Sequence, residues 1–165
     1  MNGFRELLAV NSEVAFNFFL TNLRDEVQGR GSKEDEVLYV TSILAHYAQV
    51  SRCDATYMPC MANLSEVFDN FILQDSGLQD PEILEIGGSQ VLLFAGFFRD
   101  QMRRRHNVNW YDKVGQTLYD RACQYSRDRK KQRLFEKMSI SFPDWAIICR
   151  NLSRTLRENQ FLLES

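Results

Sequence analysis

The stretch that decides the fold lies between Pro81 and Phe98 and reads P-E-I-L-E-I-G-G-S-Q-V-L-L-F-A-G-F-F. Asp80 before it is a preferred N-cap residue, and proline is favoured at the first position of a helix. The helix predicted from this start runs to about Arg105, and from Ile83 to Phe98 it is apolar on nearly every side. A helix of this kind is expected only where other helices surround it. The stretch therefore predicts the central helix of an all-α bundle.

Three glycines, Gly87, Gly88 and Gly96, interrupt this apolar stretch. Each costs about 1 kcal/mol relative to alanine in a helix interior, so a compensating role is expected. Gly88 and Gly96 fall on one side of the helix with Leu92 and Ala95. We predict that a neighbouring backbone approaches closely on this side. The alternative is a smooth wall left open for a flat or aromatic ligand.

Apolar residues at three- and four-residue spacing predict further helices before this segment. The first spans residues 12–27 and is stopped by the glycines that follow it. The second spans about 32–52 and begins with three consecutive acids, which suit the positive end of a helix dipole. A short helix is predicted over residues 64–72.

Two helices are predicted after the central one. The first starts with Asn109 as its N-cap, and its inner stripe consists of Val114, Leu118, Ala122 and Tyr125. The second carries regularly spaced apolar residues from Leu134 to Leu156, and Pro143 within it predicts a kink. The pattern as a whole predicts an all-α bundle of about six helices in a single domain, 1–165.

Composition excludes several classes of protein. The 165 residues are 44% hydrophobic and 25% charged, with only 8 glycines and 3 prolines, which excludes disorder, collagen and most turn-rich β folds. The longest nearly apolar stretch is shorter than the ~20 residues that cross a bilayer, and the first residues lack a secretory signal. We therefore expect a cytoplasmic protein whose four cysteines are thiols.

The chemical motifs of common enzymes are missing from the sequence. Neither histidine follows a glutamate at the three-residue spacing of di-iron bundles, and no phosphate-binding, dinucleotide-binding or nucleophile-elbow motif occurs. His46, Cys53 and Cys60 recur every seven residues, but zinc sites favour closer thiols and a fourth ligand. We predict no catalytic residue, metal or cofactor. An enzyme or small-molecule binder with a pocket in the bundle core is an alternative.

Charge is distributed unevenly along the chain. Residues 1–98 hold 5 basic and 14 acidic side chains, residues 99–133 hold 11 and 4, and residues 134–165 hold 4 of each. The overall net charge of -2 therefore conceals a basic segment. Its candidate residues for binding a partner or an anion are Arg99, Arg103, Arg104, Arg105, His106, Trp110, Tyr111, Arg127, Arg129, Lys130, Lys131 and Arg133.

Three interpretations of this basic segment compete. The arginines pair with the acids of the N-terminal segment, or they form a docking face for an acidic protein, or they bind nucleic acid or another phosphate ligand. Arginine suits carboxylate and phosphate equally, since its planar fork grips either group with two hydrogen bonds. A pI of about 5.7 and the lack of a base-reading motif argue against nucleic acid.

A further pattern spans residues 87–119. The G-F-F element Gly96-Phe97-Phe98 precedes a basic turn and a helix with aromatic residues, Gly115 and Tyr119. This segment resembles one found in a group of small, uncharacterised bacterial helical proteins. The resemblance implies a helical bacterial cytosolic protein and carries no catalytic residue with it.

Together these observations predict a non-enzymatic protein-interaction or regulatory module. The chain holds 12 Phe, 6 Tyr and 2 Trp, more than a core of this size needs, so some aromatic side chains are expected at an interface. That interface is with a protein partner or with a second copy of the chain.

Overall fold

A computed structural model describes residues 12–31, 34–53, 80–102 and 108–158. Within these ranges the fold is all-α, as predicted, and no strand occurs. The helices are α1 (Ser12–Val27), α2 (Glu34–Cys53), α3 (Pro81–Leu92), α4 (Arg99–Met102), α5 (Val108–Tyr125) and α6 (Arg129–Glu158). The short helix predicted over 64–72 lies outside the described residues.

The helices group into two compact units. The first unit contains α1, α2 and the end of α6 from Asn151, and the second contains α3 to α5 and α6 up to Arg150. The single-domain organisation stays a prediction. Among the helices described, none is both long enough and apolar enough to cross a bilayer.

In the first unit, α1 and α2 form a hairpin. Gly29 and Gly31 have φ angles of 83° and 67°, which side-chain-bearing residues rarely adopt, and they end α1 as the sequence predicts. Arg24 and Glu34 form an ion pair across this turn. Apart from Ala45, Glu36 and Thr41, the buried residues of the hairpin follow the predicted apolar stripes and are Ala15, Phe19, Leu23, Val37, Val40, Leu44 and Ala48.

In the second unit, α3 begins as predicted. The amide of Glu82 donates a hydrogen bond of 3.0 Å to Asp80 Oδ1, and Pro81 occupies the first turn. Residues 91–96 are all buried. The expectation of an apolar surface buried on nearly every side is wrong at Ile86, which is 56% exposed.

The predicted single helix from Pro81 to Arg105 is interrupted. Regular α-helix ends at Leu92, and residues Leu93–Phe97 form a π-helix in which the Phe98 amide donates to the Leu93 carbonyl at 2.9 Å. The extra residue in this turn changes which side chains face the neighbouring helix. Gly96 lies within it against α6. The predicted end at Arg105 falls outside the described residues.

Gly96 admits the backbone of a neighbouring helix, as predicted, whereas at Gly88 the close neighbour is the ring of Tyr119 and not a backbone. A Cβ atom on Gly88 would lie 2.9 Å from Cε2 of Tyr119, and one on Gly96 would lie 2.7 Å from Cβ of Cys149. Real Cβ atoms essentially never approach so closely. Tyr119 and Cys149 therefore fill the space that the alternative interpretation left for a ligand.

Helix α5 differs from the sequence prediction in two details. α5 starts at Val108, so Asn109 lies inside the helix and is not its N-cap. Tyr125 is 42% exposed and does not belong to the inner stripe, because it is the last residue of α5.

The long C-terminal helix is confirmed as one element that contains Pro143. Proline removes the amide that would bond to the carbonyl of Ser139. The Ser139 hydroxyl donates to the Gln116 carbonyl of α5 at 2.9 Å. The kink at Pro143 stays a prediction.

A mixed-charge groove and a basic surface as the candidate functional site

A groove of about 900 Å³ opens at one end of the second unit. Gly88 of α3 packs on Tyr119, and the earlier residues Glu82 and Glu85 share the groove with the later residues Gln124 and Tyr125, so α3 and α5 are antiparallel. Likewise Tyr119 lies beside Phe135 while the earlier Gly115 packs on the later Phe142, so α5 and α6 are antiparallel. The end of α5 therefore meets the beginnings of α3 and α6, and these three helix ends line the groove.

The start of α3 supplies the acidic wall of the groove, which consists of Asp80, Glu82 and Glu85. Asp80 is engaged, since its carboxylate accepts the Glu82 amide as the helix cap. The carboxylates of Glu82 and Glu85 form no ion pair with any residue of the described ranges. These two side chains are the available negative charges of the groove.

The turn between α5 and α6 and the start of α6 supply the basic residues of the groove. Asp128 caps α6 by accepting the Lys130 amide at 2.9 Å, and the Gln132 side chain donates to the Ser126 carbonyl at 2.5 Å. These bonds hold the turn in place. Arg127 of this turn and Lys131 of α6 line the groove, and they too form no ion pair within the described part of the chain.

The groove is also lined by the apolar groups of Pro81, Tyr125 and Phe135. Phe135 is buried, with its ring centroid 6.1 Å from that of Tyr119, so its position is set by the core. Tyr125 is the exposed aromatic group at this end of the unit. An aromatic ring with a hydroxyl at its tip offers both an apolar surface and a hydrogen bond to a ligand.

The basic surface adjoins the groove at the start of α6. We use this name for Arg127, Arg129, Lys130, Lys131 and Arg133. All five are exposed, and none pairs with an acid among the residues that the structure describes. All of them except Arg127 lie within the first five residues of α6, and the first turn of this helix contains no acid.

This arrangement opposes the stability of α6. The N-terminus of a helix carries a partial positive charge, so a cation there is unfavourable by about 0.3–1 kcal/mol at low ionic strength. Arg129 and Arg133 are also four residues apart and repel each other on one face of the helix. Asp128 offsets part of this cost as the N-cap.

The other predicted site residues lie elsewhere. Arg103, Arg104, Arg105 and His106 fall outside the described residues. Arg99 is half-buried on α4, and Trp110 is 38% exposed near the start of α5. Fifteen residues of helix, about 22 Å, separate Trp110 from the groove. Of the predicted site residues that the structure describes, those brought together are the five basic residues that follow α5.

Tyr111 is 4% exposed, which removes its ring from the predicted surface. Its ring packs edge-on against Trp110 with the centroids 5.0 Å apart. Burial raises the pKa of its hydroxyl. Tyr111 thus belongs to the packing of α5, and only Trp110 of this pair is open to solvent.

Two titratable groups of the second unit have shifted pKa values without lying in the groove. Burial raises the pKa of Asp112, and the nearby charge of Arg99 lowers it to a smaller extent. Asp112 Oδ1 is buried and has no hydrogen-bond partner in the structure. Burial raises the pKa of the Cys149 thiol to about 12, so this thiol stays protonated at neutral pH.

Metal-ligating side chains do not cluster in the described ranges, where no group of three or more His, Cys, Asp or Glu could hold an ion. His46 is exposed on α2. Cys60 and the side chain of Cys53 lie outside what the structure describes.

Sequence reasoning missed the acidic wall and Tyr125. A signal was present, since Asp80 and Asp128 each stand in an N-cap position directly before a helix. In a bundle of antiparallel neighbours those two helix starts meet the end of the helix between them.

Comparisons of the chain with protein-family models, curated proteins and solved structures find no match.

Proposed function

We propose that this protein is a non-enzymatic interaction module whose basic surface docks an acidic segment of a partner protein. The observation that carries the proposal is the placement of five exposed, unpaired basic side chains at the positive end of α6. Local helix energetics disfavours this placement. Binding of carboxylates to these side chains would offset the unfavourable interaction of their charges with the helix dipole.

The groove favours a protein partner over nucleic acid. Glu82 and Glu85 line the same groove as Arg127 and Lys131, so a phosphate backbone that follows the basic surface into the groove meets unpaired carboxylates. A polypeptide avoids this repulsion because its charge varies from residue to residue. The net charge of -2 also gives the whole protein no general attraction for polyanions.

The proposal is tested with a fluorescein-labelled, glutamate-rich peptide and fluorescence anisotropy. We expect saturable binding that weakens with added salt, since screening reduces interactions between exposed charges. Arg129→Gln with Lys130→Gln should lower the affinity about fivefold, because two exposed charge pairs are lost.

The matched control is Arg30→Gln with Lys113→Gln. It removes the same net charge from exposed side chains that are not part of the basic surface, and it should change the affinity little. Equal effects of the two double variants would show that only net charge matters and would contradict the proposal. A single-stranded oligonucleotide that binds more tightly than the peptide would also contradict it, in favour of phosphate binding.

A further inference from the structure

The groove contains charges of both signs that do not pair with each other. Glu82 and Glu85 line it from α3, and Arg127 and Lys131 line it from the turn and α6. No ion pair joins any of the four to another described residue. A groove whose only purpose was to bind anions would gain nothing from two unpaired carboxylates, because they repel the ligand.

From this arrangement we infer that the groove recognises a mixed-charge segment of a partner protein, with an acidic and a basic side chain on either side of an aromatic or aliphatic one. The acidic group binds Arg127 and Lys131, and the basic group binds Glu82 and Glu85. The apolar group packs on Tyr125. This inference rests on the proposed function and specifies which partner segment enters the groove.

The structure supports the charge assignment through the roles of the remaining acids. Asp80 and Asp128 also line the groove, but each already accepts a backbone amide as a helix cap. Their carboxylates are therefore committed to α3 and α6. Glu82 and Glu85 lie three residues apart on α3 and thus on one face, where they can bind the same cation.

The apolar part of the ligand is assigned from exposure. Phe135 is buried and Pro81 is half-buried, so they offer a ligand less accessible surface than Tyr125 does. Tyr125 is exposed and lines the same groove as the acidic and the basic side chains. An aromatic residue of the partner can stack on its ring, as aromatic pairs do at protein interfaces.

The experiment uses two kinds of labelled peptide and the full chain. Each mixed peptide contains two glutamates, a tryptophan and two lysines in that order, and the spacing between the charged residues differs from one mixed peptide to the next. The acidic peptide has glutamates in place of the lysines. Binding is measured by fluorescence anisotropy for the wild-type protein and for Glu82→Gln with Glu85→Gln. Circular dichroism checks that the variant is folded.

We expect the double variant to bind the best mixed peptide about tenfold more weakly, since both groove carboxylates lose their charge. The same variant should bind the acidic peptide as tightly as wild type or more tightly, because a repulsive charge has been removed. Tyr125→Ala should weaken the binding of the mixed peptide without altering the salt dependence of that binding.

The outcomes separate this inference from the proposed function. Wild-type protein that binds the acidic peptide but no mixed peptide overturns the inference and leaves the proposed function standing. Unchanged or tighter binding of the mixed peptide by the Glu82 and Glu85 variant overturns the inference as well. If neither peptide binds at low salt, both the inference and the proposed function are wrong.

Discussion

Replacing Gly115 with alanine tests the packing of α5 against α6. The new Cβ atom would lie 2.6 Å from Cε1 of Phe142 and closer still to Cζ and Cε2. Non-bonded carbon atoms prefer about 3.5–4.0 Å, so the methyl group overlaps the ring. Phe142 is 0% exposed, and its ring has no open space into which it can turn.

The magnitude follows from two opposing effects. Overpacking a core costs about 1–3 kcal/mol, and an overlap with three ring atoms calls for the upper end of that range. The better helix propensity of alanine returns up to about 1 kcal/mol. We therefore expect Gly115→Ala to lower the free energy of unfolding by about 2 kcal/mol, which for a chain of this length lowers Tm by about 4–8 °C.

The assay is urea unfolding followed by circular dichroism, with and without Phe142→Leu. Leucine lacks the ring atoms that obstruct the new methyl group, so Gly115→Ala should cost little, or even stabilise, in that background. The difference between the two backgrounds measures the coupling directly. A neutral or stabilising Gly115→Ala in the wild-type chain would refute the reasoning, as would the same loss in both backgrounds.

Three further predictions concern α4 to α6 and the π-helix. Gly96→Ala should lower the free energy of unfolding in urea by about 2 kcal/mol, because the new Cβ would meet the backbone carbonyl oxygen of Ala146 at 3.0 Å. Adding Cys149→Ala should not restore stability, because alanine keeps the Cβ atom that obstructs the new methyl group. Arg129→Glu should raise the free energy of unfolding by about 0.3–1 kcal/mol, since an acid is favourable at the start of a helix. The same variant should bind the acidic peptide more weakly. A loss of stability would contradict the dipole argument. Asp112→Asn should stabilise the protein at pH 7. Burial raises the folded-state pKa of this carboxyl, so ionisation costs stability above that pKa, and the gain should vanish as the pH falls below 3.8, the ordinary value. A gain that persists in acid would contradict this cause.

Several elements could be predicted from local sequence because their causes are local. The cap at Asp80 depends on residues within one turn, and the stop after α1 depends on Gly29 and Gly31, two glycines with positive φ that one residue separates. The apolar period from Met138 to Leu152 identified α6 as one helix through Pro143. In each case the deciding interaction joins residues that are close along the chain.

The remaining features depend on contacts between residues far apart in sequence. The π-helix at Leu93–Phe97 goes with the approach of Gly96 to Cys149, which is 53 positions away. The exposure of Tyr125 and the burial of Tyr111 depend on which turns of α5 are covered by neighbouring helices. Apolar residues at three- and four-residue spacing indicate which face of a helix is buried, but they do not show where along the helix the neighbouring helices stop covering that face.

The candidate site divides in the same way. The sequence alone identified the basic residues 127–133, since a cluster of charge along one short segment is visible without a fold. Only the tertiary structure placed Glu82 and Glu85 in one groove with Arg127 and Lys131, because the antiparallel course of α3, α5 and α6 brings two helix starts and one helix end together. Charge is a property of each residue, whereas the sharing of one groove by opposite charges is a property of the packing.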